Sequence, residues 1–501
     1  MNNIKYNAHA RIGYFKSIRY VTSIRYVSIT STLCAVVLLA SCSSILDKEP
    51  IATLDAGSFF QTADDALQAV NAAYQPLTFS NTNNNFYWAF GTLASDEAIV
   101  GGDGSRAGLV ELDALTHTPR TDELNKFWQL QYKGITQCNL VLDKIQKITM
   151  DKTLQNRIIG EALFLRSFYY FQLTQVYGDV PLFTTLIPPD KLKVPRTAKA
   201  TIYTQITADC DLAAAYLPLK YAATDVGRAT KGAALALAAK TYLYQKAWDK
   251  TLEYVKKVKD LSVYALIPNY QDNFRKNTQN NTESVWEIQH TNLELNVGNS
   301  LNQWWCSKKL TGGYGFCEVT EGLVTAFETD DPRRKFSIAM NNEDYLGFVY
   351  KNSYSSTHYS VRKYLQLDST VTQKADGDIN YTAIRYAEVL LWEAEANGEL
   401  GKITEGGIPL EVVRARARAQ AEKPATALPR IVTTDKQTFI DAVRHERQVE
   451  LSFELHRYFD LVRWGIAATK IPEFKVGKHE VFPLPQIEMD LNPSLVQNAN
   501  Y

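Results

Sequence analysis

Between Thr230 and Gln245 the chain carries a helical stretch with very small inner residues, Gly232-Ala233-Ala234-Leu235-Ala236-Leu237-Ala238-Ala239. Side chains this short let another helix approach closely. Thr230 is placed to cap the stretch, and Trp248 to Val258 supplies a partner helix at the same period. Helix pairs that cross at small residues are the unit of tetratricopeptide-like arrays, although a clean repeat of about 34 residues is absent. This pair predicts a mostly α fold, a scaffold of stacked helix pairs.

Other segments agree. Ala63 to Tyr74 reads as a helix ended near Pro76. Trp128, Tyr132, Ile135, Asn139, Val141 and Ile145 mark a second, and Arg157 to Tyr177 is the longest periodic run, stopped by Gly178 and Pro181. Ile202 to Leu217 forms a further stripe. Helices are also expected at Thr382 to Asn397, Leu410 to Ala421 and, as one long element, Phe439 to Trp464. The texture differs at Ser80 to Gly104 and from Tyr264 to about Asp376, where turn residues separate short β-like runs such as Ser284 to Ile288. These regions predict long loops and a few short strands on the helical frame, the usual place for binding function. The tail, Val481 to Tyr501, reads as extended.

The first residues have a different task. Lys5, Arg11, Lys16, Arg19 and Arg25 precede an apolar run from Ile29 to Ala40, and no acidic residue occurs before Asp47. The run is shorter than the roughly 20 residues that span a bilayer, and the pattern is that of an export signal. Leu39-Ala40-Ser41-Cys42 resembles the lipobox of bacterial lipoproteins. That resemblance implies removal of residues 1–41 and acylation of Cys42. The whole chain has 54 basic and 54 acidic side chains, so the remainder after this leader is mildly acidic. Such a balance argues against nucleic acid and against docking on an anionic lipid surface. Cysteine is sparse. Cys306 and Cys317 could bridge in an oxidising compartment, or both could be buried thiols, and no Cys/His spacing suggests zinc.

For catalysis, a glycosidase needs two carboxylates about 5–10 Å apart. The candidate pairs are Asp96 with Glu97, Asp330 with Asp331, and Glu388 with Glu393 or Glu395. Arg385 stands close to Glu388, and Arg–Glu pairing on a packed helix is the better reading there. His445 and His456, placed on one long helix beside arginines, read as structural. Nucleophile-elbow, zinc-protease and phosphate-loop motifs are absent from the sequence. Sugar capture asks for flat rings against C–H faces and amide, carboxylate or guanidinium groups around the rim. Two predicted loops offer this mixture. One holds Asn83-Asn84-Asn85-Phe86-Tyr87-Trp88, with Asp96 and Arg106 beyond; the other holds Asn302-Gln303-Trp304-Trp305, with Tyr314 and Phe316 after a Gly pair. The candidate ligand-binding residues are Asn84, Trp88, Asp96, Arg106, Trp304, Trp305 and Tyr314. Trp88 and one of Trp304 and Trp305 are expected to face solvent because their neighbours are polar or glycine. Trp128, Trp286, Trp392 and Trp464 are expected in the core.

Several ordered segments are similar to one known family. Glu161-Ala162-Leu163-Phe164-Leu165-Arg166-Ser167-Phe168-Tyr169-Tyr170-Phe171, then Val176 to Leu182, resembles the SusD/RagB family. So do Ile384 to Leu391 with Glu393-Ala394, Glu446-Arg447 with Glu450-Leu451, His456 to Trp464, and the tail Phe482 to Glu488 with Asn492-Pro493, Gln497-Asn498 and Tyr501. The resemblance implies an outer-membrane, cell-surface lipoprotein with tetratricopeptide-like helix pairs. It implies a lid on a TonB-dependent, SusC-like barrel transporter that captures oligosaccharides or other nutrients, without catalysis, cofactor or metal. It divides the chain into a signal peptide at 1–41, an N-terminal helical segment at 42–225 and a C-terminal segment at 226–501, the latter two packed as one globular unit. The alternatives are an exported glycan-cleaving enzyme on a helical scaffold and a structural surface adaptor.

Overall fold

The computed structural model describes residues 60–293, 297–310, 312–366 and 375–501; the expected leader and Cys42 lie outside the described residues. Six long helices build the first half: α1 (Ala63–Tyr74), α2 (Asp122–Lys144), α3 (Lys152–Tyr177), α4 (Lys199–Tyr216), α5 (Lys231–Tyr244) and α6 (Trp248–Asp260). Each from α3 onward packs on its predecessor, and α1 lies across α2 and α3. The caps explain the starts. Thr62 and Asp65 form a reciprocal capping box on α1, Asp151 accepts from Leu154 N on α3, and Thr230 accepts from Ala233 N on α5. Helix α3 thus begins five residues before the expected start, because Asp151 rather than the first apolar repeat fixes it. The small residues of α5 are buried on every side between α4, α6 and strand β2 (described below). None of the described helices is long and apolar enough to cross a membrane.

The second half adds α7 (Tyr386–Glu399), α8 (Ile403–Arg418), α9 (Lys436–Glu450) and α10 (Arg457–Trp464). Leu390, Leu391, Leu410, Val413, Phe439 and Val443 join α7, α8 and α9 in one apolar cluster. Two expectations are corrected here. Residues Tyr381–Arg385 form a strand rather than the start of α7, because Thr382 and Ile384 pair antiparallel with Ser284–Ile288. The expected long helix from Phe439 to Trp464 is broken after Glu450, where Phe453 and Leu455 take left-handed backbone. His445 and His456 therefore stand on different elements.

The strands are short. In chain order they are β1 (Ala98–Ile99), β2 (Ser284–Ile288), β3 (Glu318–Val319), β4 (Ile338–Ala339), β5 (Asp344–Tyr345), β6 (Phe348–Val349), β7 (Ser360–Val361) and β8 (Tyr381–Arg385). Four make a small sheet in the order β1-β3-β7-β4, with Ala98 opposite Val319 and Glu318 opposite Ser360. This sheet ties the loop after α1 to the long irregular region of the second half.

A buried ion network holds that region on the frame. Glu450 accepts from Arg416 at 2.5 Å, Arg385 at 2.8 Å and Arg333 at 2.9 Å. Arg385 also pairs with Glu283 and with Glu454 at 2.9 Å, and Lys363 joins Glu454 at 2.9 Å. Arg385 was expected to pair with Glu388; the strand conformation turns it to these partners, while Glu388 takes Lys240 at 3.1 Å. Removing one partner from a buried pair strands the rest without solvation. Arg385→Met is therefore expected to lower stability by about 3–5 kcal/mol, read as a reduced urea midpoint at unchanged m-value. A loss below about 1 kcal/mol would show that the network is not needed for the fold.

Candidate functional site

The two loops singled out in the sequence meet. After α1 the chain turns at Asn83, whose Nδ2 donates to Gln75 O at 2.6 Å, and Asn85 Nδ2 donates to Leu77 O at 3.0 Å. Phe86, Tyr87 and Trp88 then run inward to a buried π-helical turn, Ala89–Leu93. From the other side, the short helix Leu301–Trp305 brings Trp304 against Phe86, with ring centroids 6.2 Å apart, and against Trp88 at 5.9 Å; Trp305 meets Trp88 edge-on at 6.0 Å. Offset and edge contacts of this kind rigidify both loops.

All three tryptophans lie inside this stack. Trp88 is 0% exposed, Trp304 2% and Trp305 1%. The expectation that they face solvent is overturned. The polar neighbours that suggested it, Asn83 and Asn85, are themselves turned in to satisfy main-chain carbonyls. These rings offer no exposed face to a ligand; they form the floor under the surface. Asp96, expected at the ligand, is engaged instead by Arg457, which binds both its oxygens at 2.6 and 2.7 Å. Of the other tryptophans, Trp128, Trp286 and Trp392 are buried as expected, and Trp464 is half-buried with its Nε1 donating to Glu395. Cys306 and Cys317 are both buried and form no disulfide.

Above the floor is a polar, partly aromatic face. Tyr314 is 41% exposed, and its ring lies 5.2 Å from Phe316. Its main chain is fixed by Tyr314 N donating to Gln303 O at 2.8 Å. Gly102, at φ 78°, presses on Tyr314 O so closely that a Cβ would lie 2.4 Å away. The adjoining Asp103 pairs with Lys308 across the gap between the loops. Arg106 spreads its guanidinium 4.5 Å over the Phe86 ring and donates Nε to Glu123 at 2.9 Å. Asn84, held at φ 51° by Nδ2 donating to Asn81 O, stays half-exposed. Asn81 bridges the loops: it accepts from Trp304 Nε1 at 3.1 Å and donates weakly to Gln303 at 3.5 Å. Thus Asn84, Arg106 and Tyr314 stay partly exposed on the two loops that the aromatic stack joins. The structure adds Asn81 and Lys308, which lie outside the clusters read from the sequence, and Gln303, which lies inside one of them but was not among the candidates. Asn81 stands two residues before the asparagine run, the one signal that could have found it.

Most of the carboxylates that could pair for catalysis are engaged elsewhere. Asp331 binds Arg333, Glu388 binds Lys240, Glu393 binds Lys259, and Glu395 binds Arg463. Glu97 is buried next to Asp96, and its carboxyl is pushed up to about 8 by burial, against the opposing pull of Arg457. Clusters of side chains suited to a metal are absent among the described residues.

Residues 58–243 match a SusD-like family model described as starch-binding and associating with the outer membrane, and residues 282–481 match the SusD family model. SusD-like protein P25 of Formosa agariphila is 25% identical over 91% of this chain and 95% of its own. A laminarin-binding SusD-like protein of known structure is 26% identical, with a TM-score of 0.77 over 88% of this chain and 100% of that one. Surface glycan-binding protein A from Bacteroides uniformis is 27% identical, with a TM-score of 0.76 over 87% of this chain and 100% of that one.

The buried Glu97 gives a pH signature. Its folded-state pKa lies above the unfolded value, so its contribution is complete below about pH 4.5 and is lost as pH rises through 8. Glu97→Gln, which carries no proton to lose, is expected to gain on the wild type between pH 5 and 8 by up to about 1.4 kcal/mol per pH unit. Denaturant titration at four pH values measures this; a pH-independent difference would refute it.

Proposed function

The chain belongs to the SusD/RagB family, and from that premise we propose that it is a surface-anchored protein that captures glycans without cleaving them and passes them to a TonB-dependent barrel. The observation that carries this reading is the face on which Tyr314, Arg106, Asn84 and Gln303 are brought together by loops from both halves of the chain. An exposed ring offers its plane to sugar C–H groups, and amides with a guanidinium offer donors and acceptors for the hydroxyl rim. The aromatic floor keeps these groups in place before ligand arrives, which lowers the ordering cost of binding. The likeness to the laminarin-binding protein supports a neutral glucan as the first ligand to test. The engagement of the candidate carboxylates in ion pairs supports capture without hydrolysis.

The anchor is Cys42. Acyl chains there would hold the body at the membrane, each buried methylene adding about 0.8 kcal/mol. An extended glycan that touches both lid and barrel needs only modest affinity at either, because the second contact is intramolecular.

Two outcomes are expected. In affinity electrophoresis against laminarin, starch and a panel of neutral glycans, the wild type is retarded by at least one of them. Tyr314→Ala then weakens that retention about tenfold, equal to about 1.4 kcal/mol, while product analysis finds the glycan uncut. Retention unchanged in Tyr314→Ala would move the ligand off this face, and shortened glycan would favour an enzyme. Separately, Cys42→Ala is expected to move the protein from the membrane fraction to the soluble one. Continued sedimentation with membranes would refute the anchor.

A further inference from the structure

Beside the face just described, a cavity of about 400 Å³ opens between the C-terminal end of α1, the loop at residues 224–228 and strand β2. This is within the size range of ligand pockets, about 300–1,000 Å³. Its apolar surface comes from the half-buried Tyr74 ring and the exposed Val226, backed by the buried Leu77, Trp286 and Ile288. Trp286 is fixed there by Nε1 donating to Gly227 O at 3.2 Å. Asn71, Thr224 and Thr291 stand around the rim, and their side chains take no hydrogen-bond partner from the described residues. An apolar surface with unpaired amide and hydroxyl groups at its rim has the chemistry of a sugar subsite.

The charges nearby are already compensated. Arg228 gives Nε to Asp225 at 2.7 Å and Nη1 to Glu161 at 3.0 Å. Glu287 accepts from Asn280 N at 2.8 Å and from Asn380 Nδ2 at 2.9 Å, and burial raises its carboxyl. His290 Nε2 accepts from Phe79 N at 3.1 Å, so its other nitrogen carries the proton and donates to Ile288 O; burial holds the ring neutral, at about 4. With each of these groups partnered inside the protein, the cavity favours an uncharged ligand over a uronate or a sulfate.

The cavity lies close to the face along the chain. Thr78 lines the cavity and Asn81 lies on the face; three residues reach at most about 11 Å. Phe79 is the sill between them, pinned by its N–H to His290 and by its carbonyl to Ser300 N at 2.8 Å. We infer that this cavity is a second subsite, which receives a neutral pyranose unit of the same glycan whose neighbouring units lie on the Tyr314 face. The inference rests on the glycan-capture reading, and its test separates the two.

The experiment is calorimetric titration of the full mature chain with β-1,3-linked glucose oligomers of two to six units, or with the same lengths of whichever panel glycan the wild type retains. Thr224→Trp and Thr291→Trp each place an indole in the cavity from a surface loop, and melting curves confirm that each variant is folded. Affinity of the wild type is expected to rise at least tenfold from the trimer to the hexamer. Both cavity variants are expected to lose that rise while binding the trimer normally, whereas Tyr314→Ala weakens every length. A rise with length that survives in either folded cavity variant, or no rise in the wild type, overturns the second subsite and leaves the face intact. Binding of no glycan by the wild type overturns the capture reading itself.

Discussion

The carboxylate of Glu450 is wholly enclosed and takes guanidinium groups from three separate segments: Arg333 before β4, Arg385 at the end of β8, and Arg416 in α8. Burial alone would raise its pKa. The three positive charges outweigh that and hold it well below the usual carboxylate range. A pair of this kind adds little net stability over an apolar substitute, but a missing partner is costly. Its geometric effect is to decide which segments meet. Helix α9 ends at Glu450, and Glu450 and Glu454 both bind Arg385 across that end. The turn that follows carries Glu454 to Lys363, and three residues later Gln366 N donates to Asn302 Oδ1 at 2.8 Å. Asn302 is in the short helix that bears Trp304. The charge cluster in the core is therefore linked through Glu454, Lys363, Gln366 and Asn302 to the aromatic floor.

A second layer works by shape. Trp88, Trp304, Trp305 and Phe86 interlock as a floor, and the residues that meet water are attached above it. Rings at the surface would have offered more contact area. Rings beneath it hold two loops of unrelated sequence in one register, so that Asn81, Gln303 and Tyr314 converge without regular secondary structure.

The helical frame was legible because its signals are local. The Thr230 cap, the stop at Gly178 and the run Ala63 to Tyr74 each depend on residues within one turn. The break after Glu450 was not, since the apolar period runs on through Tyr458 and Leu461, and the left-handed positions are taken by Phe453 and Leu455 rather than by a glycine that would signal a stop. The start of α7 was misplaced for a similar reason: Thr382 and Ile384 suit either state, and pairing with β2 decides. At the face, the sequence located the two loops but misjudged depth. Asparagines beside Trp88 suggested water, yet they serve as internal partners for turned main chain, a use that composition cannot distinguish from solvation.

The tight turn at Ala89–Leu93 seats the first loop on the second half through Gly91, where a Cβ would lie 2.2 Å from Leu455 O. This seat is main chain against main chain. It is blind to which side chains the loop displays a few residues away at Asn81 or Asn84. Such a joint separates tool from handle: the gripping edge can be re-cut for a different sugar while the mounting stays the same, so new diets are open to this scaffold without a new fold.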